Sequence, residues 1–158
     1  MFKKVLLAYD GSPEGALALR EGAMLARSCG AEVHLLSVVP QTAGVQIAES
    51  ASAGVVAQLT DEHSELLGRA VERLRALGFD PEAHLVVGEP APTIGAFAHR
   101  LGADLVVVGH RHQSALSRWW SGSTDAYLSE HVGCSLLLSS NPITDEAFEA
   151  EVRAARAG

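Results

Sequence analysis

Two stretches hold the residue types best suited to chemistry. One is Asp10-Gly11-Ser12-Pro13, directly after the apolar run Val5 to Ala8. The other begins where Leu105 to Val108 reaches Gly109 and runs to Gly122-Ser123-Thr124. In full, this second stretch reads ADLVVVGHRHQSALSRWWSGST: a predicted strand, a glycine, a polar and aromatic loop, and a glycine-hydroxyl step into a predicted helix. Such an order suits the holding of a phosphate. Glycine lets the backbone come close to an anion, and the unpaired N–H groups at the helix start supply the attraction.

Each residue carries a bland reading beside the chemical one. Asp10 either contacts a bound ligand or a metal, or caps the helix that follows. Its place at the end of a central strand favours contact. A phosphoacceptor role is unsupported, because no further acidic residues cluster after the first strand. Gly122, Ser123 and Thr124 serve phosphate binding and helix capping with the same geometry. His110 and His112 flank Arg111 on the loop. Three readings stay open for them: solvated histidines, which is favoured, a direct phosphate contact by His112 with Arg111 or Arg118, or a zinc site short of ligands. Trp119 and Trp120 read as a loop anchor or an interface before a base-stacking platform. Cys29 and Cys134 read as small core residues, and no base is visible beside either cysteine or any serine. No catalytic residue and no metal-ligating set is therefore assigned.

Those residues need a scaffold, and the hydrophobic pattern supplies one. Strands are predicted at Lys3–Tyr9, Glu32–Val39, Glu82–Val87, Asp104–Val108 and Cys134–Ser139. Ser12 as N-cap and Pro13 as first residue open a helix that runs to Cys29, with Gly30 past its end. A longer helix begins between Ile47 and Leu59; Leu59, Leu66, Leu67, Ala70, Val71, Leu74 and Leu77 form its apolar stripe up to Gly78. Ile94, Phe97, Ala98 and Leu101 mark a third helix closed by Gly102, and a fourth spans about Ser123 to His131. Strict alternation of strand and helix predicts one open five-stranded parallel sheet with helices on both faces, an α/β Rossmann-like fold. Ligands then sit beyond the carboxyl ends of the strands, where the winding reverses. If the first and fourth strands are neighbours, Asp10 and Gly109 line one crevice.

With 158 residues the chain reads as one domain over residues 1–140, followed by a tail over 141–158 in which a short helix can start near Thr144. A net charge of −7 argues against general affinity for nucleic acid or an anionic membrane. Asp10 ends the first apolar run too early for a signal core or a membrane span, and two cysteines suggest a reducing compartment. The expected location is the cytoplasm.

At VLLAYDGSP, VGEPAPTI, ADLVVVGHR and GST the chain resembles the universal stress proteins, over about Phe2 to Ser139. The resemblance implies an adenine nucleotide alpha hydrolase-like fold and binding of ATP or AMP, with Mg²⁺ accompanying ATP. It places Ala8, Asp10 and Val38 around base and ribose, Gly109 at the ribose or first phosphate, and Gly122, Ser123 and Thr124 at the phosphates. The family's G-x-x-G-x9-G-S/T pattern is matched at Gly109 and Gly122-Ser123, but His112 occupies the second glycine position. The function implied is a stress-response regulatory module without fast catalysis, at most a slow ATP hydrolase. The alternative is a nucleotide-independent interaction module of the same fold. The short apolar fifth strand, at a sheet edge, predicts a homodimer.

Overall fold

A computed structural model describes residues 1–40, 49–109, 124–140 and 143–157. In chain order these form β1 (Lys4–Ala8), α1 (Pro13–Cys29), β2 (Glu32–Pro40), α2 (Glu49–Ala76) and β3 (Pro81–Gly88). They continue as α3 (Pro90–Leu101), β4 (Leu105–Gly109), α4 (Thr124–His131), β5 (Ser135–Ser139) and α5 (Asp145–Ala157). All strand pairs are parallel, in the order β3-β2-β1-β4-β5. The winding reverses between β1 and β4, so the neighbour relation on which the crevice depends is met.

Period-two alternation divides the core in two. Val5, Leu7, Val33, Leu35, Leu105 and Val107 face α1 and α2, packing on Ala18, Ala23, Leu67, Val71 and Leu74. Leu6, Ala8, Leu36, Val38, Val106 and Val108 face the opposite layer, against Ile94, Phe97 and Ala98 of α3 and Leu128 of α4. Alanine and glycine bring α1 close to the sheet: a Cβ on Gly22 would lie 2.3 Å from Leu7 Cδ2. The outer strands are less covered than the apolar runs suggest. Val87 on β3 is 44% exposed and Leu138 on β5 is 37% exposed.

Helix ends follow the local chemistry read from the sequence. Ser12 caps α1 with extended backbone, its Oγ accepting from Gly15 N at 3.0 Å, and Pro13 follows. Gly30 and Gly102 adopt the left-handed conformation, φ 64° and 67°, that closes α1 and α3.

The C-terminal stretch contributes more than a short terminal helix would. Phe148 and Val152 of α5 are buried in the α1/α2 core, and Phe148 lies 6.3 Å from the ring of Phe79. Asp145 pairs with Arg20 of α1 and Arg73 of α2, and Arg20 Nη1 donates to the Ile143 carbonyl at 2.6 Å.

Candidate functional site

The carboxyl ends of β1 and β4 meet through main chain. Tyr9 N donates to Leu36 O of β2 at 2.9 Å, which holds the β1 end in the sheet plane. Gly11 then turns with φ 79°, a left-handed geometry that favours glycine. Asp10 Oδ1 accepts from Ser12 N at 2.9 Å and from Ser12 Oγ at 2.5 Å, while Ser12 Oγ also accepts from Gly15 N. This oxygen of Asp10 is thus engaged in shaping the start of α1. Tyr9 stands beside it, and burial pushes its phenol above the ordinary value, with the Asp10 carboxylate adding to the effect. The phenol stays protonated at neutral pH, able to donate.

Gly109 comes from the other side of the reversal. A Cβ there would sit 2.4 Å from the Glu14 carbonyl oxygen and 2.9 Å from Gly15 N. The first turn of α1 therefore already fills the space beside the Gly109 Cα. Glycine is required at this position for close strand–helix packing, whatever else approaches it. Ala8 and Val38 are buried behind this junction, on the α3/α4 side of the sheet. So Ala8, Asp10, Val38 and Gly109 all lie at or behind the carboxyl edge of three adjacent strands. Thr124 is the first residue of α4. His112, Gly122 and Ser123, together with His110, Arg111, Arg118, Trp119 and Trp120, lie outside the described residues.

Two groupings are not apparent from the sequence pattern. Ser37 Oγ and His63 Nδ1 lie 2.9 Å apart, both buried, tying β2 to α2. His34, Glu82 and His84 converge at the amino end of β2 and β3, the opposite end from the crevice, as a set able to hold a metal ion. The signal for the second was Glu-x-His occurring twice, at Glu32-Val33-His34 and Glu82-Ala83-His84. Period two puts each pair on one face of its strand, and the His34–Glu82 register sets the two faces side by side. Cys134 is no nucleophile on this geometry. Burial, and secondarily the charge of Asp104, push its thiol above the ordinary value.

A five-stranded parallel sheet wound both ways from β1, with its crevice at the reversal, defines the class as an open Rossmann-like α/β domain, the fold of the solved structures it superposes on. Residues 1–139 match the model of the universal stress protein family, and the chain belongs to that family. Universal stress protein YxiE of Bacillus subtilis is 31% identical over 146 residues, covering 87% of this chain and 99% of its own. Among solved structures, protein MJ0577 superposes with a TM-score of 0.75 at 23% identity, covering 91% of this chain and 99% of its own. An Arabidopsis thaliana universal stress family protein, solved with AMP bound, gives a TM-score of 0.65 at 20% identity, with 92% and 97% covered. No helix among the described residues is long and apolar enough to cross a membrane.

Proposed function

We propose that this chain binds an adenine nucleotide, ATP or AMP, beyond the carboxyl ends of β1, β2 and β4, and works as a regulatory module in stress response. The observation that carries this reading is the junction of Gly109 with the first turn of α1 at the point where the winding reverses. Ligands of open parallel sheets sit at such reversals. Asp10, with Ala8 and Val38 behind it, forms the base and ribose side; Gly122, Ser123 and Thr124 form the phosphate side, with Mg²⁺ accompanying ATP. The AMP complex of the Arabidopsis thaliana relative supports the choice of ligand class. Binding there would alter a surface that a partner reads. A fast reaction forms no part of the proposal. The Ser37–His63 pair is buried in the core between β2 and α2 and serves as a structural tie.

Calorimetric titration with ATP and AMP, each with and without Mg²⁺, tests the reading. Saturable binding of either nucleotide, weakened by Asp10→Ala, is the expected result. No binding below about millimolar concentration would sink it. That outcome would favour the nucleotide-independent interaction module, the reading for which His112 in a glycine position speaks. Either form is expected to dimerise by pairing of β5, an edge strand of five residues with Leu138 exposed. Light scattering giving a monomer mass at high protein concentration would exclude that arrangement.

A further inference from the structure

The amino end of the sheet carries a side-chain cluster that the nucleotide reading does not use. His34 on β2 is only 5% exposed, although it is an imidazole with two ring nitrogens to satisfy. Its Nδ1 lies 3.2 Å from His84 Nε2 and 3.5 Å from Glu82 Oε2. Glu82 Oε1 is in turn 3.8 Å from His84 Nε2. The other ring nitrogen of His34, Nε2, is buried without a hydrogen bond and faces Glu32 Oε2 at 3.6 Å. Register makes the arrangement, since His34 is directly opposite Glu82 and His84 projects from the same face of β3.

From these positions we infer that His34 Nδ1, His84 Nε2 and the Glu82 carboxylate form a binding site for a divalent transition-metal ion, with Zn²⁺ the best fit. Zinc bonds of about 2.0–2.1 Å at tetrahedral angles separate neighbouring ligand atoms by about 3.3–3.4 Å. The separations of 3.2 Å between the two ring nitrogens and 3.5 Å from His34 Nδ1 to Glu82 Oε2 are close to that spacing, and the other carboxylate oxygen, Oε1, lies 3.8 Å from His84 Nε2. Imidazole nitrogen with carboxylate oxygen suits zinc, whereas magnesium and calcium prefer oxygen alone.

The orphaned nitrogen of His34 acquires a purpose in this scheme. Ligation through Nδ1 fixes the proton on Nε2, and an Nε2–H aimed at Glu32 is the outer contact that ligating histidines generally make. A shift of a few tenths of an ångström would turn 3.6 Å into a hydrogen bond. His84 is positioned by the ring of Phe97, 4.7 Å away on α3. With three protein ligands, the fourth position is open to water. His34, Glu32 and Glu82 border a cleft of about 660 Å³ at this end of the molecule, which gives the ion an entry path. The rival arrangement is a plain N–H···N hydrogen bond between two imidazoles whose ring planes lie 20° from parallel.

Full-length protein stripped with a chelator, then titrated with Zn²⁺ by calorimetry and with Co²⁺ by visible absorption, decides between them. One Zn²⁺ per chain and the intense bands of four-coordinate cobalt are expected. His84→Ala and Glu82→Gln should each weaken Zn²⁺ at least about tenfold. Both should also remove the rise in Tm that bound Zn²⁺ gives the parent. His34 is buried, so its replacement also perturbs folding, and these two more exposed positions carry the test. Absence of one saturable equivalent of Zn²⁺ overturns the inference in favour of the hydrogen-bonded pair. Zn²⁺ affinity unchanged in both variants overturns it too, since the ion would then sit elsewhere. Neither measurement involves nucleotide, so the outcome is independent of the crevice.

Discussion

At the carboxyl end of the sheet the polypeptide meets itself through backbone: Gly109 lies against the Glu14 carbonyl, and Ser12 and Asp10 hold the first turn of α1. At the amino end, by contrast, β2 and β3 meet through the side chains of His34, Glu82 and His84. Main-chain junctions are specified by what must be missing, a Cβ, and tolerate many neighbours. Side-chain junctions are specified by what must be present, and on which face. One protein thus carries two ends with opposite rules for substitution, held apart by a core that both share.

The largest effect tests the shared core. Phe148→Ala should cost about 3–5 kcal/mol in urea denaturation, because it empties a fully buried site beneath α5. At a temperature where the variant stays folded, nucleotide and Zn²⁺ affinities should both match the parent. A loss confined to one end would show that α5 belongs to that end and break the symmetry of the comparison.

Gly109→Val comes next. Its Cβ meets the rigid backbone of Glu14 at 2.4 Å, so a cost of about 1–3 kcal/mol is expected. Nucleotide affinity should fall by at least about tenfold in calorimetry, which is about 1.4 kcal/mol, with Zn²⁺ uptake unchanged. Ser12→Ala removes the α1 cap and should lower stability by about 1 kcal/mol, measured by thermal or urea unfolding.

The smallest effect lies at the amino end and depends on pH. Asp104 accepts from Lys3 N at 2.7 Å and Lys4 N at 2.9 Å, and these two amide donors hold its carboxyl below the ordinary aspartate value. As acid is added, the unfolded chain takes up this proton first. The stabilisation is therefore complete above the ordinary aspartate value and is lost as pH falls through the lower folded-state value. Asp104→Asn should show a small constant deficit near neutrality that shrinks across that acid window. A deficit independent of pH would show that the carboxylate charge contributes nothing.

Helix boundaries at both ends of the sheet are legible from sequence because glycines, caps and apolar runs are local signals. Gly30, Gly102, Ser12 and Pro13 fix helix ends with no knowledge of the fold. The alternation of elements limits the topology, but whether β1 and β4 are neighbours needs the pairing itself. The amino-end cluster is hidden for a different reason. Glu-x-His along one strand looks like ordinary polar alternation, and its meaning appears only when two strands 50 residues apart are aligned in register. The final helix leaves a weak trace because Phe148 and Val152 are its only large apolar residues. Two positions make a faint periodicity, and what decides their burial is the oily surface already offered by α1 and α2.

That last helix begins beyond residue 139, where the match to the family model stops. A chain ending at the fifth strand would leave the flank around Phe79 wet and adhesive. Here the protein supplies its own bandage, pinned by one aspartate gripping two arginines. The flank is thereby sealed by the chain's own last helix.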